Sequence, residues 1–296
     1  MIPEYPRFKP IELKDFDKLQ AQLSTEKRNI CELAAANLLI WKDFDRPETT
    51  LINNNLCIRI NPLNDEPFFL EPLSHNKLDE TIKTCLGSAK NISRVSEDFI
   101  RLIPGNNYNI TCLRSQFDYV YKIKELAELK GKKFDAKRNH IKRFIKQFPG
   151  YEFSPLSFKH KNDIFALFDK WFNIRKESRY FPRLAYNAQK GALEYTCRHF
   201  NDLGLIGGEI LACNKLIGFV IGSKLNTSTI SAHFQYCDPE IQGAPQTILW
   251  EACNKLFNGY EFINLEQDLG IPGLRQAKLS YHPYKIEKKF EISLKP

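Results

Sequence analysis

No apolar run in these 296 residues is long enough to cross a bilayer. The longest, Ala34 to Trp41, falls far short of the roughly 20 residues a spanning helix needs. The N-terminus, Met1 to Pro10, lacks the apolar core of a secretory signal. A cytoplasmic chain is expected, with any membrane contact peripheral and on acidic lipid. None of the eight cysteines (31, 57, 85, 112, 197, 213, 237, 253) stands in C-x-x-C spacing. Most lie inside apolar periodic segments, so reduced, buried thiols are expected rather than disulfides. The six histidines show no H-x-x-x-H pair, and no metal is expected. There are no short repeats and no low-complexity segments.

Hydrophobic residues make up 43% and charged residues 26%, so one large or two ordinary globular domains can bury a full core. The net charge of +8 is concentrated. Between Lys122 and Lys146 there are ten Lys/Arg and three Asp/Glu, a local +7. Two readings fit such a block: a surface for a polyanion, nucleic acid or acidic headgroups, or a solvated helix face.

In the first half, apolar spacing predicts helices over Glu12–Leu23 and Thr25–Lys42. Strands follow at Thr50–Ile52 and Leu56–Ile60, joined through Asn53-Asn54-Asn55, then at Pro67–Leu73. A helix over Leu78–Leu86 and strands near Ile92–Val95 and Tyr108–Arg114 complete an α+β pattern rather than a βαβ repeat. Asp118–Tyr121 reads as either a helical start or a strand. Within the basic block, Asp135 is a suitable N-cap for a helix over Ala136–Phe148. Its buried stripe is Ile141, Phe144, Ile145 and Phe148, with Asn139, Lys142, Arg143 and Lys146 opposite.

From Tyr151 the predicted order is strand, two helices, three strands, helix, strand, short helix, strand, which is the element order of the GNAT acyltransferase fold. There, a glycine-rich turn and the following helix hold the donor's pyrophosphate. Asp238 to Gln246 occupies that place here, with Gly243, Ala244 and Gln246 as candidate donor contacts and His233 on the preceding strand. His233 also fits a hydrogen-bonded core role. Glu240 would repel a pyrophosphate, and Pro245 removes one N–H from the first turn. Phe262 to Tyr284 follows, a strand that runs past Glu266 and Asp268 into a Gly/Pro turn and a segment bearing Arg275, Lys278 and Tyr281. This arrangement fits a local salt-bridge cluster, and it also fits an acyl- or phosphate-handling site.

Two stretches carry a wider resemblance. Leu129-Lys-Gly-Lys-Lys-Phe-Asp-Ala-Lys-Arg-Asn-His-Ile, together with Asn264-Leu-Glu-Gln-Asp-Leu-Gly-Ile-Pro-Gly-Leu-Arg-Gln-Ala-Lys-Leu-Ser-Tyr-His-Pro, resembles the family similar to the C-terminal domain of phosphatidylglycerol lysyltransferase. The likeness spans essentially the whole chain. It implies an α+β fold of two tandem GNAT-like lobes, placed at 1–130 and 131–296, with the donor cleft in the second. It implies transfer of an amino acid from charged tRNA to an amine or hydroxyl acceptor, with no cofactor. Glu266 or Asp268 would take the acceptor's proton, unless the reaction is substrate-assisted, and Lys278 or Arg275 would stabilise the oxyanion. Lys132, Lys133, Arg138, Lys142 and Arg143 would track tRNA phosphates. Glu209 is a weaker site candidate. One departure stands out: Gln235 and Tyr236 occupy the places where the resemblance implies an acidic residue and a lysine. Two other readings therefore remain beside the first, a coenzyme A-dependent N-acyltransferase and a catalytically silent RNA- or partner-binding module.

Overall fold

The computed structural model describes residues 1–24, 28–103, 105, 107–158, 161–175 and 183–295. They form an α+β protein built on two seven-stranded sheets, the two GNAT-like lobes. The first sheet runs, edge to edge, through the strands beginning at Lys9, Glu48, Asn55, Phe68, Asn91, Lys289 and Tyr108. The second runs through those beginning at Lys285, Asp118, Phe262, Thr229, Lys215, Ile206 and Glu152. Each lobe lends the other a strand. Lys289–Leu294, at the chain's end, pairs between Asn91–Ser96 and Tyr108–Cys112 in the first sheet. Asp118–Lys122 pairs antiparallel with Phe262–Asn264 and Lys285–Glu287 in the second. The sheets therefore do not divide the chain at a single point near residue 130.

Both faces of the long central strand Lys215–Lys224 are buried, as its near-continuous apolar run requires. Ile217 and Val220 point to a core shared with Phe134, Ile141, Phe144 and the helix Ala244–Lys255. Phe219 and Ile221 point to the core between the lobes, where Leu19, Leu39, Ile58 and Phe168 also pack. A third core lies under the helix Leu78–Ser88.

Several local expectations are corrected. The helix predicted over Thr25–Lys42 is a short 3-10 turn at Cys31–Leu33, then helices at Ala35–Ile40 and Lys42–Asp45, with Ala34 extended between them. Thr25 itself lies outside the described residues. The strand predicted over Pro67–Leu73 narrows to Phe68–Phe69. The basic helix runs Asp135–Gln147, and Asp135 pairs with Arg138 instead of capping. On that helix Ile145 is exposed and Lys137 is buried, so the inner stripe is turned slightly from the predicted one. The hairpin after Ala212 turns on Cys213 and Asn214, both left-handed.

Candidate functional site

Thr229–Cys237 and Phe262–Asn264 run parallel, but their ladder covers only Thr229 to Ser231 against Phe262 to Asn264. Beyond Ser231 the strands part. The open edge from Ala232 to Cys237 forms one wall of a cavity of about 970 Å³. Leu265 to Gln267, the helix Pro272–Leu279 and the first turn of the helix Ala244–Lys255 complete the second lobe's side. The first lobe supplies the opposite wall through Glu32, Trp41, Phe44, Asp45 and Arg94.

A bulge shapes the open edge. Ile221 pairs with Phe234 and Gly222 with Ala232, which leaves His233 as the extra residue. Gly222 is required opposite it, because a Cβ there would stand 2.6 Å from the Ser231 carbonyl. Bulges re-aim a side chain, and here the imidazole is fully enclosed. Its Nδ1 lies 2.8 Å from Glu266 Oε1 and its Nε2 lies 2.7 Å from Ser223 Oγ. Ser231 Oγ donates to the same Glu266 oxygen at 3.1 Å. Glu266 has a left-handed backbone (φ 60°), fixed by its N–H donating to Asn264 Oδ1 at 2.7 Å. Strain of that kind is kept where geometry is over-determined. Glu266 thus reaches the cavity with one oxygen anchored. Ser223 is buried and does not line the cavity, so this Ser-His-Glu chain presents its carboxylate end, not a nucleophilic hydroxyl.

The other three residues assigned to catalysis bond mainly within their own loop. Asp268 is fully enclosed and receives Arg275 Nε at 2.8 Å, Arg275 Nη2 at 2.9 Å, Tyr119 Oη at 2.6 Å, Arg114 Nη1 at 2.9 Å and the Gly270 N–H at 2.8 Å. Burial alone would raise its pKa. The bonds from Arg275, Tyr119 and Gly270 outweigh that and hold the carboxyl well below the usual range. An acid so firmly ionised is a poor proton acceptor, and Arg275 is committed to it. Lys278 donates to the carbonyls of Leu265, Glu266 and Gln267. All three of its protons are used to hold the loop that carries Glu266. Burial lowers its pKa to about 8, against the opposing pull of Glu266 and Asp118.

Of the proposed donor contacts, Gln246 and His233 line the cavity, whereas Ala244 is buried. Gly243 is left-handed (φ 84°) and packs on the basic helix, where a Cβ would stand 2.2 Å from the His140 carbonyl. Glu240 pairs with Lys170 at 2.5 Å. Gln235 Nε2 donates to the Pro245 carbonyl at 2.9 Å, and Tyr236 Oη donates to Gln189 Oε1 at 2.6 Å. Glu209 is buried in the strand Ile206–Ala212, away from the cavity.

The basic residues divide. Lys132, Lys142 and Arg143 are exposed; Lys133 pairs with Glu125 at 2.7 Å, and Arg138 binds the carbonyls of Leu129 and Gly131. Lys137 alone of this helix lines the cavity. At about 100° per residue, Asn139, Lys142, Arg143 and Lys146 lie roughly 120–180° around the axis from Lys137. The exposed cationic face is therefore directed away from the cavity. A lysine beside an apolar stripe carries no signal in the sequence that would set Lys137 apart from its basic neighbours.

A second polar cluster closes the cavity floor toward the lobe junction. The Lys289 ammonium is fully buried and donates to Glu32 Oε2 at 2.5 Å and Asp118 Oδ1 at 2.7 Å. Asp118 Oδ2 accepts the Cys31 N–H at 2.8 Å and Asn264 Nδ2 at 3.0 Å. Cys31, Glu32 and Asp118 have spacing that could hold a metal ion, but the cation at their centre is Lys289. Burial raises Asp118 to about 6 despite the opposing lysine. Among the described residues no helix is long and apolar enough to cross a membrane.

A conserved protein of unknown function from Bacteroides thetaiotaomicron is 30% identical, with all of both chains covered and a TM-score of 0.86. The L-PGS structure from Bacillus licheniformis shares the fold, at TM-score 0.65 and 17% identity over 99% of this chain and 94% of that one. An uncharacterised protein of Mycoplasmoides gallisepticum is 21% identical over 237 residues, 74% of this chain and 72% of its own. The sequence model of one family, described as phosphatidylglycerol lysyltransferase, C-terminal, matches residues 24–292, and the chain belongs to that family.

Proposed function

We propose that the cavity between the lobes is the site of aminoacyl transfer from charged tRNA to an amine or hydroxyl acceptor. One observation carries this reading: the Glu266 carboxylate stands at the point where the two parallel strands part, with one oxygen held by His233 and Ser231. A carboxylate fixed on one oxygen keeps the other available to take the acceptor's proton as its nucleophile attacks the ester carbonyl. The unpaired edge of Ala232–Cys237 supplies main-chain polar groups along the path of the developing oxyanion. Lys278 acts by holding the Glu266 loop rather than by touching substrate. The coenzyme A reading is weaker, because the pyrophosphate turn is closed by the Gly243–His140 packing and carries Glu240.

The test is transfer of a labelled amino acid from charged tRNA to amines, to hydroxyl compounds and to phospholipid vesicles. Labelled product that disappears with Glu266→Gln supports the reading. No product with any acceptor, and no acceleration of tRNA deacylation by the protein, would overturn it.

A further inference from the structure

Trp41, Phe44 and Asp45 line the cavity from the first lobe. The N–H groups of Phe44 and Asp45 both donate to the Trp41 carbonyl, at 3.0 and 2.8 Å, and close the turn into the short helix Lys42–Asp45. Residues three and four apart share one face of a helical turn. Two aromatic rings and a carboxylate are therefore presented to the cavity together. The Trp41 ring is set against Phe234 of the second lobe, with ring centroids 6.2 Å apart.

The Asp45 carboxylate has no hydrogen bond and no ion pair among the described residues. The cations beside it in sequence are turned elsewhere. Lys42 pairs with Asp43 at 2.7 Å, and Arg46 donates to the carbonyls of Asn61 and Pro62. Arg94, on the same cavity wall, is in electrostatic reach of Asp45. It stands on a bulge: Val95 pairs with Phe290 and Ile92 with Ile292, so Ser93 and Arg94 both oppose Glu291, and Arg94 is left-handed (φ 58°). Its guanidinium leans to Glu32 at 3.9 Å and lies over the Phe68 ring. Glu32 in turn shares Lys289 with Asp118. Three carboxylates, Glu32, Asp45 and Asp118, are thus linked to two cations, Arg94 and Lys289. Burial raises the Asp45 pKa against the pull of Arg94. The set is one cation short, and the shortfall falls on a residue that looks into the cavity.

An organic ammonium supplies what is missing. It pairs with the carboxylate, and aromatic faces attract it through their quadrupoles. An anionic ligand would meet Asp45 and Glu32 instead. We infer that Trp41, Phe44 and Asp45 form a binding site for an organic ammonium, and that the acceptor carries it. Leu38, Ile60 and Leu70 line the same wall and suit a hydrocarbon body. Paired with Asp45 the ammonium keeps its proton and anchors the molecule, while a second amine or hydroxyl of the acceptor is the group that reacts. The acceptor's role rests on the aminoacyl-transfer reading, but the ammonium site does not require transfer to occur.

Calorimetric titration of the whole protein at neutral pH with benzylamine, benzyl alcohol and benzoate tests it. Benzylamine is expected to bind at least tenfold more tightly than benzyl alcohol, and benzoate most weakly. Asp45→Asn should remove the amine's advantage and leave benzyl alcohol unchanged, while Asp43→Asn, at an exposed position of the same turn, should leave all three unchanged. Asp45→Asn loses a charge that burial disfavours, so its thermal midpoint should not fall below the parent's, which separates loss of the site from loss of the fold. Equal binding of amine and alcohol, no binding of the amine, or an amine preference that survives Asp45→Asn would overturn the site. In the transfer assay, a KM for a diamine acceptor that rises with Asp45→Asn, at unchanged KM for charged tRNA, assigns the ammonium to the acceptor. A raised KM for charged tRNA alone overturns that assignment. If benzylamine binds through Asp45 but no amino acid is transferred, the site stands, and the transfer reading falls together with the acceptor's role. If transfer occurs and amine binding ignores Asp45, the reverse holds.

Discussion

Lys289 and Asp118, 171 residues apart in sequence, meet at 2.7 Å in the protein interior. Lys289 opens the last strand of the first sheet and Asp118 opens a strand of the second. Their ion pair, shared with Glu32, ties the two exchanged strands together. Lys289→Met would leave two carboxylates buried without their cation, at a cost of about 3–5 kcal/mol. Urea unfolding should report that loss. The double variant Lys289→Met with Asp118→Asn should recover part of it, since one stranded charge is then gone.

The lowered pKa of Lys137, about 8 through burial, gives a signed pH dependence. Between about pH 8 and 10.5 the unfolded chain keeps this proton and the folded one does not, so the group's contribution to stability rises with pH there. Lys137→Met should therefore be more stable than the parent below pH 8, by up to about 3 kcal/mol. The gap should close as the pH approaches 10.5. Denaturant midpoints across pH 7 to 10.5 measure it, and a gap independent of pH would contradict the assignment.

One substitution type should act with opposite signs at two glycines. Gly243→Ala must accept φ 84° and a contact with the His140 carbonyl, and is expected to cost at least about 2 kcal/mol. Gly191→Ala, inside the helix Arg183–Arg198 with open space around it, is expected to stabilise by about 0.5–1 kcal/mol. Thermal unfolding of the two variants side by side provides the comparison.

Glu266 and His233 should separate kinetically. Glu266→Gln removes the proposed base and is expected to lower kcat about 100-fold or more with little change in KM. His233→Asn keeps Glu266 but loosens its hold. A smaller fall in kcat, with a shifted pH profile, is expected, as befits a positioning residue. Equal losses with an unchanged profile would assign His233 a purely structural role.

Salt dependence reads out the basic helix. If Lys142 and Arg143 each neutralise one tRNA phosphate, each alanine variant should reduce the slope of log K against log salt by roughly 0.7–0.9. Filter binding between 50 and 200 mM salt is sufficient to resolve this. Unchanged slopes would remove these residues from the tRNA surface.

Much of the fold was legible because it is written in local patterns. Alternation and helical spacing placed most strands and helices from Tyr151 onward, and their order pointed to the acyltransferase lobe, although the single closing strand expected is two, Lys285–Glu287 and Lys289–Leu294, in different sheets. Asn53 and Asn54 marked a left-handed turn that the structure contains. The failures were also local. A run of apolar residues from Ile30 to Trp41 looks helical by spacing, yet Ala34 is extended because the segment threads between the two lobes and is buried on every side.

The sequence by itself determined an α+β chain with a concentrated basic helix, because element type and charge density are properties of neighbouring residues, while the tandem acyltransferase-like lobes were what its family resemblance implied. Only the tertiary structure decided which charges are spent and which are available. Asp268 and Arg275 close on each other, Lys278 is taken by three carbonyls, and Lys137 faces the cavity with no carboxylate paired to it among the described residues. Asp268 also takes Arg114 from 154 residues away and Lys137 reaches Ser280, 143 residues away, contacts made in a fold whose sheets exchange strands, which no local spacing encodes.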